Sequence, residues 1–192
     1  MFLIVGLGNP GPNYSKNRHN IGFLALDQVA SSFSFPDFSG SKVSQSQASL
    51  GEISGHRVLL LKPMTYMNLS GSAVKSALDF FKLMPERVIV LHDDLDLDPG
   101  EIRFKKGGGH GGHNGLRSVS QAIGQDYYRL RLGIGHPGVK ELVSPYVLSN
   151  FSPKDTWVDP LVEGVGVLFH HLLGIKGFEN GVKFMEELKQ RL

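Results

Sequence analysis

The first 22 residues constrain the fold of this chain more than any other stretch. Residues 2–5 form a continuous apolar run, which is typical of a strand that is buried on both faces of a sheet. The run ends in residues 6–11, where three glycines and a proline indicate a tight turn. Polar side chains follow this turn: Tyr14, Arg18, His19 and Asn20. A buried strand that ends in a polar loop predicts an open α/β sheet with its site at the carboxyl ends of the strands.

Two further predicted strands end in polar loops in the same way. The apolar run 58–61 precedes the polar stretch 62–71, and the run 88–91 precedes His92 and Asp93. Because strands and helical patterns mostly alternate, we expect a three-layer α/β sandwich in which helices flank a twisted, mixed and largely parallel β-sheet. No repeat or clear boundary interrupts this pattern, which predicts a single domain over residues 1–192.

Local signals predict several other elements. Residues 51–61 are expected to form a hairpin that turns at Ser54 and Gly55. The pair Ser152–Pro153 favours the start of a helix, which Pro160 is expected to kink or end before it resumes. A last helix is predicted near the carboxyl terminus, with these residues on its buried stripe: Val182, Met185, Leu188 and Leu192.

The composition excludes several kinds of protein. The chain has no cysteine, which removes disulfides, thiolate metal sites and cysteine nucleophiles, and which fits a reducing compartment. It opens on a strand rather than on a signal segment, and no apolar run approaches the roughly 20 residues of a membrane helix. We therefore expect a soluble, cytoplasmic protein that does not associate with membranes.

The distribution of charge is more informative than its sum. A formal net charge of +2 does not by itself indicate a nucleic-acid partner. Six basic residues are nevertheless concentrated near the predicted site: Arg103, Lys105, Lys106, Arg117, Arg129 and Arg131. A surface that contacts phosphates and ordinary strand-edge charges are the two interpretations that remain open for this group.

His19 is the best candidate for catalysis. It lies in a polar loop rather than on an apolar stripe, and imidazole titrates near neutrality, as a general base requires. Asp93 follows a buried strand, so its carboxylate could accept a hydrogen bond from the imidazole and fix its tautomer. The amide of Asn68, in another strand-end loop, could donate to a developing oxyanion. The alternative for His19 alone is an ordinary surface histidine.

Two other kinds of site are suggested by short motifs. Residues 6–11 match the dinucleotide-binding pattern GxGxxG, but Pro10 stiffens the turn and no helix is predicted to start at Gly11. His110 and His113 could bind zinc together with Asp93, although the glycine-rich stretch offers no firm third ligand. We therefore predict no metal, and we interpret the glycines around His113 as backbone that approaches a substrate closely. Met67 is expected to form pocket wall or core.

Sequence blocks throughout the chain resemble the bacterial peptidyl-tRNA hydrolase family. These blocks are VGLGNPG with Tyr14, NRHNIG, KPMTYMNLSG, HDDLDLDPG, GGGHGGHNGLRS, RLRLGIGHP and YVLSNF. Departures from the family pattern are mild: Asn17, Tyr66 and Asp94 stand where threonine, phenylalanine and glutamate are common.

The resemblance implies hydrolysis of the ester that joins a peptide to the 3′ ribose of tRNA, which recycles the tRNA without a cofactor. It implies that His19 is the catalytic base, that Asp93 stabilises its active form, and that Asn9 helps to separate N-blocked peptidyl-tRNA from free aminoacyl-tRNA. Substrate contacts or cleft positions are implied for Tyr14, Asn20, Tyr66, Met67, Asn68, His113 and Asn114. Binding of tRNA is implied for Arg103, Lys105 and Arg131. A monomer is expected. A tRNA-binding module without chemistry and a nicotinamide enzyme are the rival functions.

Overall fold

The computed structural model describes residues 1–174 together with residues 178 and 183. The strands in this part of the chain are β1 (Phe2–Gly6), β2 (Ser39–Gly40), β3 (Ser46–Ile53), β4 (His56–Pro63), β5 (Val88–Asp94), β6 (Ile102–Lys106) and β7 (Tyr128–Gly133). Its α-helices are α1 (Ile21–Ser32), α2 (Ser70–Phe80), α3 (Asn114–Ile123), α4 (Val143–Val147) and α5 (Val158–Leu173). The residues that were predicted to form the buried stripe of a last helix, Val182, Met185, Leu188 and Leu192, lie outside the described residues.

The strands form one sheet in the order β2-β3-β4-β1-β5-β7-β6. Strand β1 is parallel to β4 and β5, and β5 is parallel to β7. The outer pairings β2–β3, β3–β4 and β6–β7 are antiparallel, so among the described strands only β3 and β6 oppose the direction of the others. The predicted mixed, largely parallel sheet is confirmed.

Helices cover both faces of this sheet. On one face α1 and α5 pack on the side chains of Phe2 and Ile4, and on the other face α2 and α3 pack on Leu3 and Val5. Strand β1 is central and therefore needs apolar side chains on both faces, which explains its continuous apolar run. The predicted three-layer sandwich is confirmed.

Among the local predictions, the hairpin is confirmed and the helix start is wrong. The hairpin turns as expected at Ser54 and Gly55, whose φ angles of 50° and 83° suit a tight hairpin turn between two strands. The predicted helix start at Ser152 is wrong, because the backbone N–H and the hydroxyl of Ser152 donate to Asp155 at 2.7 and 3.1 Å in a turn. Helix α5 begins at Val158, and Pro160 lies in its first turn, where a missing N–H removes no helical hydrogen bond.

Helix α1 approaches the end of β1 too closely for an intervening side chain. A Cβ atom on Gly22 would lie 2.5 Å from the carbonyl oxygen of Leu91 and 2.6 Å from that of Leu7. Glycine at this position therefore sets how close α1 comes to β1 and β5. It also sets the position of His19 and Asn20, which directly precede the helix.

We expect Gly22→Ala to lower the free energy of unfolding by about 1–3 kcal/mol, because backbone atoms must separate to admit the methyl group. Gly164→Ala in α5 is the matched control, since its Cβ would lie 3.7 Å from Ile102, an ordinary contact. That control should leave stability unchanged or raise it by up to about 1 kcal/mol. Urea denaturation measures both, and equal effects would contradict the close-approach explanation.

Candidate active site

Three polar loops lie together at the carboxyl ends of β1, β4 and β5. Helix α1 follows β1 on one face and α2 follows β4 on the other, so the two connecting loops diverge and leave a crevice. Asn9 from the first loop and Met67 from the second meet there, and Oδ1 of Asn9 accepts a hydrogen bond of 2.8 Å from the backbone N–H of Met67. The crevice is where an open α/β sheet binds its ligands.

Asp93 is the centre of the polar contacts at this edge. Its side chain is buried, and both carboxylate oxygens lie 2.9 Å from Nδ1 of His19. The Oδ1 atom also lies 2.9 Å from Nε2 of His113, and the centroids of the two imidazole rings are 4.8 Å apart. One carboxylate on β5 thus holds two histidines that come from different loops.

The surrounding hydrogen bonds assign the protons on these rings. Nδ1 of His113 accepts from the backbone N–H groups of Gly115 and Leu116 at 3.1 and 3.3 Å, so the Nε2–H of His113 donates to Asp93. His19 donates to the carboxylate through Nδ1, which leaves its Nε2 as an acceptor. This Nε2 atom has no hydrogen-bond partner among the described residues, and it is not fully enclosed.

His92 is a third imidazole beside the site, and sequence analysis gave it no role. Its Nδ1 donates to the carbonyl of Asp93 at 2.7 Å, while its Nε2 is fully enclosed and unpartnered within the described residues. Burial, together with the charge of His113, lowers the pKa of His92 to about 3. The ring packs edge-on against His113, with 5.3 Å between the centroids. His92 is therefore a neutral packing partner, which alternation along β5 could not reveal.

The pKa values of Asp93 and His19 are set by two opposing effects, burial and the charges of neighbouring groups. Burial alone would raise the pKa of Asp93, but the charges of His19 and His113 and their hydrogen bonds hold that pKa well below its usual 3.8. Burial alone would lower the pKa of His19, but the charge of Asp93 and the hydrogen bond to it raise that pKa above its ordinary 6.5. Asp93 is therefore ionised at neutral pH, and the pKa of His19 lies above that of a free imidazole.

Asn9 is fixed by Asn20 on the opposite side of its loop. The backbone N–H of Asn9 donates to Oδ1 of Asn20, and Nδ2 of Asn20 donates to the carbonyl of Asn9, each at 2.9 Å. Because Oδ1 of Asn9 already accepts from Met67, its Nδ2 is the group left for a ligand. Met67 is buried, and a Cβ on Gly115 would lie 2.5 Å from its sulfur, so Met67 joins this loop to the start of α3.

Four other predicted contact residues lie on the loops after β1 and β4 and at the start of α3. Asn68 is exposed in the 3-10 turn Met67–Leu69, and Asn114 is exposed at the first position of α3. Tyr66 is 61% exposed next to Met67, and Tyr14 is half-buried in the 3-10 turn Pro12–Tyr14. Neither asparagine amide is hydrogen-bonded within the described part of the protein, so both are free to meet a ligand.

Arg18 directly precedes His19 and is anchored by its own side chain. Its guanidinium donates to both carboxylate oxygens of Asp155 at 2.9 and 3.1 Å, and to the carbonyl of Asn150 at 2.7 Å. It also lies 4.9 Å from the ring centroid of Tyr146. Sequence analysis treated Arg18 only as a polar loop residue, because its partners lie more than 100 positions away and no local pattern links them.

Arg103 and Lys105 of β6 share a face of the sheet with Arg129 and Arg131 of β7, but these residues do not share an environment. Arg103 pairs with Arg131 in the register of the two strands, and both carry acidic partners. Arg131 donates to Asp94 at 2.7 Å, and Arg103 donates to Glu101. Lys105 is half-buried. Arg103 is exposed and Arg131 is half-buried.

Arg129 does not belong to that surface. It was grouped with the phosphate-contacting residues in the sequence, but it is only 2% exposed. Its guanidinium donates to the carbonyls of Gly108 and Gly109 instead. The prediction failed at this residue because strand alternation indicates a face of the sheet and not whether a loop covers that face.

The dinucleotide-binding and zinc-binding interpretations of the short motifs fit the structure poorly. The loop after β1 passes through the 3-10 turns Pro12–Tyr14 and Arg18–Asn20 before α1 begins at Ile21, so the amino terminus of an α-helix does not lie at Gly11 to bind a pyrophosphate. The ligand atoms of His19, Asp93 and His113 lie within 4.8 Å of one another, as a metal site would need, and His110 is not in this group. The nitrogens that face Asp93 carry protons, however, which favours a hydrogen-bonded cluster. The absence of a metal stays a prediction.

We expect the midpoint of the His19 titration, followed by the NMR shifts of its ring carbons, to lie above 6.5 in the wild type. Asp93→Asn should move that midpoint to lower pH, because burial persists while the carboxylate that opposes it is gone. Asp96→Asn is the matched control, since Asp96 is exposed on the same loop and does not contact His19. A midpoint that is unchanged in Asp93→Asn would contradict the electrostatic coupling.

The fold and the site together define an α/β protein with a buried histidine–aspartate pair suited to general base chemistry. The profile of the family described as peptidyl-tRNA hydrolase matches residues 3–190. Peptidyl-tRNA hydrolase from Rhodospirillum centenum is 51% identical over 86% of this chain and 72% of its own length. That from Dinoroseobacter shibae is 56% identical over 86% of this chain and 70% of its own length.

A solved structure agrees with these sequence relatives. The crystal structure of peptidyl-tRNA hydrolase from Acinetobacter baumannii superimposes with a TM-score of 0.89 at 41% identity, over 98% of this chain and 94% of its own. The chain therefore belongs to the peptidyl-tRNA hydrolase family, as the resemblance implied. Within the described residues, no helix has the length and apolar character needed to cross a membrane.

Proposed function

We propose that the chain hydrolyses the ester bond between the peptide and the 3′ ribose of peptidyl-tRNA, with His19 as the general base. Family membership supports the reaction. One observation supports the base: of the three imidazoles around Asp93, only that of His19 has a nitrogen that is neither bonded within the described residues nor enclosed. His92 and His113 have no comparable group to offer a substrate.

The reaction needs a water molecule, a polarised carbonyl and a leaving ribose oxygen. Nε2 of His19 takes a proton from water as the water oxygen attacks the ester carbonyl carbon. The Asp93 carboxylate stabilises the imidazolium that forms and keeps Nδ1 protonated. The tetrahedral intermediate then collapses, the bond to the 3′ oxygen breaks, and that oxygen takes the proton from the imidazolium. The products are a peptide with a free carboxyl group and tRNA with a 3′ hydroxyl.

The asparagine amides supply neutral donors around this reaction. Asn68 and Asn114 position the carbonyl and the water, and Asn68 donates to the oxyanion. Nδ2 of Asn9 donates to the amide carbonyl of an N-blocked residue. A free aminoacyl-tRNA lacks that carbonyl and carries an ammonium group in its place, so Asn9 favours the blocked substrate. Asn20, Met67 and His113 shape the cleft from behind these groups.

The tRNA portion is held by charge and by aromatic contact. Lys105, Arg103 and Arg131 contact backbone phosphates. Each phosphate contact makes the affinity for tRNA fall more steeply as the salt concentration increases. Tyr14 and the exposed Tyr66 offer rings on which the terminal adenosine or an aromatic side chain can stack. A module that binds tRNA without chemistry would need the same charges, but it would have no use for a buried His19–Asp93 pair.

The setting of the reaction follows from its substrate. Peptidyl-tRNA arises during translation, so the protein acts in the cytoplasm, and the absence of cysteine suits a reducing compartment. We further infer that the protein acts as a monomer, as its resemblance to the family implies. Light scattering after size-exclusion chromatography tests that inference.

We expect the wild type to release N-acetylated amino acid from N-acetyl-aminoacyl-tRNA and to leave free aminoacyl-tRNA intact. His19→Ala should reduce that release by at least about 100-fold, because the water loses its base. His170→Ala is the matched control, since His170 is exposed on α5. A chelator should change nothing. Tight binding of tRNA without cleavage by the wild type would instead indicate the binding module.

Asn68→Ala should lower turnover by about 100- to 1,000-fold at saturating substrate, because an oxyanion donor acts in the transition state rather than in the ground state. Steady-state kinetics with N-acetyl-aminoacyl-tRNA measure this effect. A variant that changes only the apparent affinity and keeps its turnover would remove Asn68 from the oxyanion role.

A further inference from the structure

Arg129 is the largest fully buried side chain in the described part of the protein. No carboxylate of the described residues lies within ion-pair distance of its guanidinium. A buried cation without an anionic partner is costly unless polar groups replace its water. The groups that surround Arg129 therefore indicate what it is there to hold.

Those groups are the backbone of the glycine loop (residues 107–112). One terminal nitrogen of Arg129 donates to the carbonyl of Gly109 at 2.6 Å, and the other donates to the carbonyl of Gly108. The ring of Tyr127 lies on one side of the guanidinium, with its centroid 4.8 Å from Cζ. The planar fork of arginine can hold two successive carbonyls in one geometry, which the single ammonium group of lysine cannot match.

Within the described residues, Gly108 and Gly109 have hydrogen bonds only with Arg129. Five of its six residues are glycine, and Gly107, Gly108, Gly111 and Gly112 have positive φ angles of 64°, 96°, 56° and 82°. Glycine loses more conformational freedom on ordering than any other residue. The other hydrogen bonds of the loop lie at Gly107, which donates to the carbonyl of Tyr127, and at His110, whose Nδ1 accepts from the N–H of Gly112 and whose carbonyl accepts from the N–H of His113.

The loop leads directly into two residues of the site. His113 donates to Asp93 and caps α3, and Asn114 is the first residue of that helix. We infer that Arg129 is a positioning residue, which fixes the glycine loop and thereby holds His113 and Asn114 in place for the reaction. This inference rests on the proposed function, and it assigns Arg129 no contact with tRNA.

The test uses Arg129→Lys and Arg129→Gln with two substrates, N-acetyl-aminoacyl-tRNA and an N-acetyl-aminoacyl ester of the trinucleotide CCA. Assays run below the melting transition of each variant. We expect kcat to fall by about 10- to 100-fold for both substrates, because small displacements of positioned groups are costly to rate. The fall should be similar in low and high salt. A loss that is confined to KM for the full tRNA and grows with salt would overturn the inference in favour of a phosphate contact.

A double-mutant cycle shows whether Arg129 acts through the end of its loop. In an Asn114→Ala background, Arg129→Lys should reduce kcat by a clearly smaller factor than in the wild type. The matched cycle uses Asn68→Ala, which lies on the loop after β4, and there the factor should be close to its wild-type value. Equal coupling to both asparagines would contradict positioning through the glycine loop.

Amide hydrogen exchange provides a readout that needs no activity. Exchange at residues 107–112 should be at least tenfold faster in Arg129→Lys, with the central strands unchanged. If Arg129→Gln does not fold, the Lys variant carries the test alone. Unchanged exchange and unchanged kcat would overturn the inference even if the wild type cleaves its substrate. Failure of the wild type to cleave would instead count against the proposed function, which the exchange measurement does not depend on.

Discussion

The site depends on one buried charge. The carboxylate of Asp93 is enclosed by protein, and an isolated ion in such surroundings would be strongly destabilised. Two imidazoles compensate for this, and each comes from a separate loop, His19 from the loop after β1 and His113 from the loop before α3. The requirement to satisfy Asp93 therefore draws two distant segments to the end of β5. Loss of either imidazole would leave the carboxylate short of a donor, so structure and chemistry are coupled at this point.

The backbone on both sides of His19 holds this residue next to Asp93. Towards the sheet, Gly22 allows α1 to reach the carbonyls of Leu7 and Leu91, and this fixes the segment that ends in the 3-10 turn with His19. Towards the surface, Arg18 is held by Asp155 and Asn150. A general base must lie within hydrogen-bond reach of its water, so a rigid backbone on either side of His19 is a condition of the proposed chemistry.

The sequence revealed the framework better than the environments of single residues. Apolar runs that end in polar loops predicted both the parallel core and the edge where Asn9, Met67 and Asp93 meet. Local signals failed where another contact decides the backbone, whether with a near neighbour or with a distant loop. The pair Ser152–Pro153 carries a good helix start, but Asp155 accepts from Ser152 and forms a turn instead. No spacing rule could indicate that a loop would cover Arg129.

Two arginines of the same strand thus differ in role because their surroundings differ. Arg129 and Arg131 are two positions apart on one strand and on the same face of the sheet. Arg131 lies next to Asp94 at the surface, where phosphate can compete for it, whereas Arg129 lies under the glycine loop and meets only carbonyl oxygens and a ring. A count of basic residues therefore overstates the charge that is available to tRNA. In the proposed mechanism, the charge of Arg129 organises the backbone beside the reacting ester, and the charges beyond the loop bind the rest of the substrate.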